Sequence, residues 1–234
     1  MIEELDFETY LFISPYELKI NLFDIKNQKN LYEKKLLIQN VNKFFNYNLL
    51  DTFLENNVFK IEKLIGGFLK SVSVVVQNLD IINISLGVKK KNYEDNFTPK
   101  YLEIILTEAN DIFKENYQNE KIIHFIINKY FINDIHQPNF DGNLNGKSFS
   151  LEIQFIAISN NFINETNKIL EKFHIRSNKW FDEKYIKDFF KNQNLNISEM
   201  VFKIQQGVNE REVTIVPKNQ KRVGFFERFF QLFS

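Results

Sequence analysis

The sequence predicts an α+β fold, in which strands pair into sheets and helices pack against them. Two observations carry this prediction. Hydrophobic residues alternate over short segments near the N-terminus, whereas later segments repeat with helical spacing. In addition, 44% of the 234 residues are hydrophobic, which is enough to build a core. The length suits one large domain or two small ones.

The first forty residues predict a hairpin and a third strand. Tyr10–Ile13 and Leu18–Asp24 alternate loosely in hydrophobicity, and the Ser14–Glu17 segment between them contains a proline, which favours a turn. Leu31–Gln39 then reads as the third strand.

The next segment predicts one long helix, since apolar residues recur at helical spacing from Leu50 to Val72. Gly66 and Gly67 interrupt it, either weakening its middle or letting another backbone approach closely. Ile81–Val88 returns to the pattern of a strand.

The middle of the chain predicts a small module of strands and helices. Thr98 and Pro99 are typical of a helix start, because threonine can cap the first turn and proline needs no N–H there. The elements that follow are a strand, a polar loop, a strand and an Asn-capped helix: Lys121–Ile132, Asp134–Lys147, Phe149–Ser159 and a helix from Asn160 or Asn161 through Phe173.

The C-terminal part predicts two helices, Asp182–Lys191 and Ser198–Gln206, and a short strand at Arg211–Val216. Residues 217–222 form a basic linker, and residues 223–234 have the pattern of an amphipathic helix.

The last twelve residues predict a membrane-binding helix. Wound as a helix, their apolar side chains fall in one arc of roughly 160°. The segment is too short to span a bilayer but suits a helix lying in the headgroup plane. The predicted membrane-binding residues are Lys221, Arg222, Phe225, Phe226, Arg228, Phe229, Phe230 and Phe233. The alternative is a helix that packs on its own core or on a partner protein.

Charge and composition exclude several classes of protein. Thirty basic residues balance thirty acidic ones, whereas a nucleic-acid binder usually has a basic surplus. Because cysteine is absent, disulfides and thiolate metal sites are excluded. The acidic N-terminus lacks the pattern of a secretion signal, which predicts a cytoplasmic protein.

No pattern indicates an enzyme, a cofactor or a metal. His124, His136 and His174 lie in three different elements without metal-ligand spacing. His124, inside an apolar strand, is expected to be a hydrogen-bonded core histidine, and His136 to lie in a solvated loop. The seven glycines form no phosphate-binding motif.

Residues 121–175 carry a resemblance to a known family. An apolar strand with His124 is followed by a polar loop with Gly146, a long apolar strand, an Asn-capped helix and the pattern ILEKFHI. This order resembles FtsA, the actin-like bacterial cell-division protein that tethers FtsZ filaments to the membrane. Tyr10–Asp24 resembles the opening hairpin of its 1A subdomain, and FFERFFQLFS resembles its membrane-targeting helix.

The resemblance implies a partial actin-like (ribonuclease H-like) subdomain with an inserted SHS2-type (1C) module and a C-terminal amphipathic helix. The actin-like part would comprise residues 1–80 and 174–216, and the module residues 81–173. Residues 217–222 would be the linker and residues 223–234 the membrane-targeting helix.

Two departures from the family imply that ATP binding is lost. The family's first hairpin turn carries an Asp-x-Gly-Thr-like phosphate loop, whereas Ile13–Glu17 contains no glycine. Nothing after Phe173 resembles the glycine-rich loop that opens the family's second lobe, where FtsZ usually binds. The expected protein therefore has no catalytic residues and no cofactor.

The resemblance implies a non-enzymatic division protein, bound peripherally to the cytoplasmic face of the inner membrane at the division site. Its partners would be inner-membrane lipid, other division proteins and further copies of itself. Whether FtsZ binds directly stays open, because the lobe where it usually binds has no counterpart in this sequence. The first alternative is a PilM-like scaffold of a type IV pilus or secretion system. The others are an ATPase with an unconventional cleft and a soluble interaction domain whose tail docks on itself.

Overall fold

The computed structural model describes residues 6–39, 45–77, 81–91, 96–140 and 144–214. The elements, in chain order, are β1 (Phe7–Ile13), β2 (Glu17–Asp24), β3 (Lys29–Leu37), α1 (Tyr47–Glu55), α2 (Val58–Ile65), β4 (Ser71–Val76), β5 (Ile81–Lys91), β6 (Asn96–Phe97), α3 (Pro99–Asn116), β7 (Glu120–Ile132), β8 (Ile135–Gln137), β9 (Leu144–Asn145), β10 (Ser148–Ser159), α4 (Asn160–Lys172), β11 (Arg176–Asp182), α5 (Glu183–Phe189) and α6 (Ile197–Gln205). The prediction of a fold that mixes helices and sheets is confirmed.

The chain divides into two compact units. The first unit comprises Met1–Ile81 and Ile158–Val208, and the second comprises Ile82–Ala157 and Asn209–Ser234. The sequence placed residues 158–173 with the inserted module, but α4 lies in the first unit, where it packs against α1 and β11.

A five-stranded mixed sheet forms the centre of the first unit, in the order β11-β4-β1-β2-β3. β2 runs antiparallel to both β1 and β3, whereas β4 runs parallel to β1 and β11 parallel to β4. The predicted hairpin and third strand are therefore confirmed, and β2 is the one strand of this sheet that runs against the rest.

Helices cover both faces of this sheet. Side chains alternate between faces along a strand, so Trp180 and Phe181 of β11 point to opposite sides. Phe181 packs in a cluster with Ile186 of α5 and Val201 of α6. The Trp180 ring contacts Phe162 of α4, with the ring centroids 6.1 Å apart. The first unit therefore has three layers, with helices on each side of the sheet.

The predicted long helix between residues 50 and 72 is wrong. The chain forms α1 and α2 instead, and α2 ends at Gly66, whose φ of 67° is left-handed and therefore favours glycine. Residues 71–76 read SVSVVV and form β4, a buried parallel strand. Four β-branched valines favour a strand over a helix. The strand β11 was not predicted.

The second unit packs one helix on a sheet of order β5-β10-β7-β8. Leu102, Ile105 and Phe113 of α3 join Phe125 of β7 and Phe155 of β10 in one buried cluster. The predicted strands and the helix start at Pro99 are confirmed. The predicted loop after β7 contains two short strands, β8 and β9.

A row of buried polar side chains crosses the first sheet. Tyr10 is the register partner of Asn21 on β2 and of Ser73 on β4, and all three are 0% exposed. Asn21 Nδ2 donates to Ser198 Oγ of α6 at 2.8 Å. Within the described residues, the Tyr10 hydroxyl and Ser73 Oγ have no hydrogen-bond partner. Burial, with a smaller effect from Glu8, raises the pKa of Tyr10.

Replacing Tyr10 with phenylalanine is expected to raise the free energy of unfolding by about 1 kcal/mol, because an unpartnered buried hydroxyl carries a desolvation cost. The matched control is Tyr32→Phe. The Tyr32 hydroxyl donates to Asn57 Oδ1 at 2.6 Å, so its loss is expected to lower stability by about 1 kcal/mol. Urea unfolding measures both. Equal destabilisation by the two variants would contradict the prediction.

Candidate functional site

The eight predicted membrane-binding residues lie outside the described residues. They are Lys221, Arg222, Phe225, Phe226, Arg228, Phe229, Phe230 and Phe233. Among the helices that the structure describes, none has the length and hydrophobicity required to cross a membrane. The described part offers two other candidate regions, both in the first unit.

The first region is the edge of the sheet where parallel strands end. In α/β folds this edge is where ligands usually bind. β1, β4 and β11 all finish there, at Ile13, Val76 and Asp182. The Gln77 amide donates to the Ile13 carbonyl at 3.0 Å and ties the ends of β4 and β1 together.

The turn after β1 is closed by its own hydrogen bonds. Ser14 Oγ accepts from the Tyr16 amide at 3.2 Å and from the Glu17 amide at 2.9 Å. The Ser14 amide donates to the Glu17 carbonyl at 3.0 Å, and Pro15 has no amide hydrogen. Backbone N–H groups are what a phosphate loop offers its ligand. Here each of them is either absent or already bound.

The carboxylate at the end of β11 is also hydrogen-bonded within its own segment. Asp182 is 4% exposed, and its carboxylate accepts from the Lys184 amide at 3.1 Å and from the Tyr185 amide at 3.3 Å. It therefore caps the first turn of α5. A carboxylate used in this way stabilises the start of the helix.

One lysine near the closed turn, Lys19, lies among carboxylates. Lys19 Nζ is 4.3 Å from the centre of the Phe12 ring. Burial lowers the pKa of Lys19, and the negative charges of Glu33, Glu17 and Glu183 oppose that change. Two of these carboxylates, Glu17 and Glu183, are themselves paired with Lys35 and Lys187.

The second region is an apolar groove with a volume of about 530 Å³, at the end of α2. Its lining includes Phe59, Phe68, Leu69 and Phe173, with Glu55 and Glu62 among its charged residues. Phe59 is 73% exposed and Phe68 is 84% exposed. Large apolar side chains that lie together at a surface usually mark an interaction site.

Local structure explains why Phe68 projects from the surface. α2 ends at Gly66, and the Gly67 amide donates to the Glu62 carbonyl at 3.2 Å. The Leu69 amide then donates to Glu62 Oε1 at 3.1 Å. These bonds fix the chain on both sides of Phe68 while its ring stays exposed. The sequence signal was the phenylalanine directly after two glycines.

In the second unit, a segment after α6 joins the edge of β7. The Ile127 amide donates to the Arg211 carbonyl at 2.9 Å, and the Val213 amide donates to the Phe125 carbonyl at 2.7 Å. Arg211 also donates through its guanidinium to the carbonyls of Asn128 and Pro138. The predicted strand near residue 211 is therefore present as a short bridge to β7.

Two of the histidines, His124 and His136, make contacts with neighbouring side chains of the second unit. The His124 side chain is 0% exposed, and its Nδ1 lies 2.6 Å from Glu212 Oε1. The prediction of a hydrogen-bonded core histidine is confirmed. His136 lies in β8, where its ring contacts Phe131. Among the described residues, no group of three potential metal ligands occurs.

Comparisons with known proteins give similarity to solved structures alone, since no family model and no curated protein matches the sequence. The chain is similar to the cytoplasmic domain of EpsL, an inner membrane component of the type II secretion system of Vibrio cholerae. That similarity has 10% identity and a TM-score of 0.38, over 77% of this chain and 57% of the other.

Two further structures are similar. One is a Bacteroides thetaiotaomicron protein with an actin-like ATPase fold and unknown function, at 15% identity and a TM-score of 0.36, over 84% of this chain and 61% of that one. The other is the PilM–PilN type IV pilus biogenesis complex, at 11% identity and a TM-score of 0.49, over 78% and 49%. The chain spans less than two thirds of the length of each of these three chains.

Proposed function

We propose that the chain is a non-enzymatic scaffold with an actin-like first unit, attached peripherally to the cytoplasmic face of the inner membrane. The sheet order supports the actin-like part. A five-stranded mixed sheet in which only the second strand is antiparallel, covered by helices on both faces, is what an actin-like (ribonuclease H-like) subdomain requires. Residues 217–234 would supply the contact with lipid, and the folded units would bind proteins.

The single observation that carries the non-enzymatic part is the closed turn at the end of β1. In actin-like ATPases this turn holds phosphate with backbone amides. In this chain Ser14 Oγ accepts from the amides of Tyr16 and Glu17, and Pro15 replaces a donor. The phosphates of a nucleotide would have to break these hydrogen bonds to reach the same amides.

The melting temperature is therefore expected to stay unchanged when ATP and magnesium are added at millimolar concentration. A ligand that binds only the folded state at 100 times its Kd stabilises it by about 2.7 kcal/mol, which thermal shift resolves easily. The control is ATP without magnesium at the same ionic strength. A saturable rise in melting temperature would contradict the proposal and favour an ATPase with an unconventional cleft.

Two kinds of assembly fit such a scaffold. The first is a type IV pilus or secretion system, in which the chain would be a PilM-like scaffold. Two of the similar solved structures are components of such systems. The second is the division machinery, in which the chain would be an FtsA-like scaffold. The Phe-rich segment that follows a basic linker favours this second assembly. In that case other division proteins, FtsZ and further copies of the chain would be the partners.

A fluorescent fusion of the full chain separates the two assemblies. Accumulation at the septum, lost when FtsZ is depleted, would support the division role. A distribution that follows pilus or secretion components and ignores FtsZ depletion would support the PilM-type role. Diffuse fluorescence throughout the cytoplasm would contradict membrane attachment in both.

A further inference from the structure

Among the described residues, the two most exposed large apolar residues line the same groove at the end of α2. They are Phe59 and Phe68, which are 73% and 84% exposed. The rest of the lining also belongs to the first unit and includes Leu69 and Phe173. Exposed aromatic rings beside an apolar recess are typical of a protein interface. We propose that two copies of the chain dimerise through this groove, related by a twofold axis.

The shape of the groove suits a second copy of itself. In a twofold dimer the same patch lies on both sides, so it must offer both a projecting group and a recess. Phe68 is the projecting group. The Gly67 and Leu69 amides on either side of it both donate to Glu62 and fix its position. The recess has a volume of about 530 Å³, so Phe68 of each copy can enter the groove of the other.

The charges beside the groove are complementary under the same rotation. The lining carries Glu55 of α1 and, from another part of the fold, Lys70 and His174. The Arg176 amide donates to the Lys70 carbonyl at 3.0 Å, so Lys70 and His174 lie near the paired starts of β4 and β11. Glu55 and Lys70 are exposed, and within the described residues neither forms an ion pair. A twofold axis can therefore place Glu55 of each copy against Lys70 of the other.

The backbone at His174 is an independent observation at the same groove. Its φ of 58° is left-handed. The His174 amide donates to the Glu171 carbonyl and the Ile175 amide to the Leu170 carbonyl. These two bonds form the Schellman end of α4, at whose left-handed position glycine is usual. A residue with a side chain is strained there, and such strain clusters at binding sites. Here it places an exposed imidazole on the lining of the groove.

The size of the patch predicts a weak dimer in solution. Nine of the described residues line the groove, whereas a stable interface involves about 20–30 residues from each side. Confinement of both copies to one surface raises their effective concentration and favours such a weak pair. Membrane attachment would then promote dimerisation, a part of the inference that rests on the proposed function.

Sedimentation equilibrium of the full chain without lipid tests the dimer. From micromolar to near-millimolar protein, the mass should rise from 28.1 kDa towards twice that value and stop there, because a twofold interface closes. Phe68→Asp should weaken dimerisation at least about a hundredfold, since the dimer buries this residue twice and central aromatic residues carry much of the binding energy. Phe68 is exposed within one copy, so circular dichroism should show an unchanged fold.

The matched control is Leu37→Asp, at a residue of β3 that is 66% exposed. It should dimerise as the unchanged protein does. A chain that stays monomeric at every concentration would overturn the proposal and leave the groove to a different protein. Equal dimerisation by Phe68→Asp and the unchanged protein would overturn it too, as would a mass that grows beyond the dimer.

Two charge reversals test the twofold arrangement itself. A dimer of Glu55→Lys would bring like positive charges together at both ends, and a dimer of Lys70→Glu would do the same with negative charges. Each variant alone should dimerise about tenfold more weakly, because like charges that meet at an interface repel. An equimolar mixture should recover the affinity of the unchanged protein, since both contacts then join opposite charges. A mixture that dimerises no better than its components would overturn the twofold pairing.

Binding to anionic vesicles separates this inference from the proposed function. Phe68→Asp should bind vesicles several-fold more weakly than Leu37→Asp, because a monomer has one lipid-binding segment and a dimer has two. A dimer in solution together with absent vesicle binding would sink the lipid part of the proposed function and leave the dimer intact. Vesicle binding by a chain that sediments as a monomer would sink the dimer and leave the lipid part intact.

Discussion

Replacing Phe226 and Phe230 with glutamate is expected to abolish binding of the protein to anionic vesicles. Burial of a phenylalanine side chain contributes about 1.5–3 kcal/mol, so losing two costs about 3–6 kcal/mol. That corresponds to roughly a hundredfold to ten-thousandfold weaker binding. The two new carboxylates would also be repelled by anionic headgroups. Co-sedimentation with vesicles, titrated over lipid concentration, measures the change.

The control adds the same charge on the other side of the predicted helix. Gln231→Glu with Ser234→Glu places two carboxylates on the polar arc and keeps every phenylalanine. Each charge near the surface changes binding by about 1 kcal/mol, so this variant should still bind in the lipid range where the first variant does not. Binding of the two variants with equal affinity would show that aromatic insertion is unimportant.

Replacing Phe155 with alanine is expected to have the largest effect on stability, lowering the free energy of unfolding of the second unit by about 3–5 kcal/mol. Phe155 is 0% exposed, and its ring centre lies 4.9 Å from that of Phe113 and 4.6 Å from that of Phe125. Its removal would leave a cavity between α3 and the sheet. Urea unfolding followed by far-ultraviolet circular dichroism measures the loss.

Tryptophan fluorescence can show which unit the Phe155→Ala substitution destabilises. Its one tryptophan is Trp180, in the first unit, so tryptophan fluorescence reports on that unit alone. Ile135→Ala, at a side chain 66% exposed on β8, is the control and should change stability by less than about 0.5 kcal/mol. A Phe155→Ala variant as stable as this control would contradict the packing described for the second unit.

The sequence predicted those elements whose residues carry a clear local signal, such as alternating hydrophobicity, a turn or a helix start. The hairpin of β1 and β2 follows from alternation and a proline-containing turn, and α3 begins at Pro99 as its sequence indicates. β4 was missed because its fully buried valines show no alternation, so an apolar run after a helix reads as more helix. β11 was missed because two aromatic residues among polar ones give little pattern.

The candidate sites were predictable to different extents. The absence of glycine from the turn after β1 was visible in the sequence, and it predicts that this turn does not bind phosphate. That Ser14 Oγ binds the remaining amides required the structure. The groove around Phe68 could not be predicted, because it depends on α2 ending at Gly66 and on Phe173, over a hundred residues away. The membrane-binding residues stay a prediction from sequence.

The short pairing of residues 211–213 with β7 has a mechanical consequence. If residues 223–234 hold the protein to a membrane, tension on them reaches the described part of the chain at Thr214. The load then passes first through the bonds of Val213 and Arg211 to β7, and through the contact of Glu212 with buried His124. In that case the second unit would be the part of the protein that bears the strain from a moving membrane.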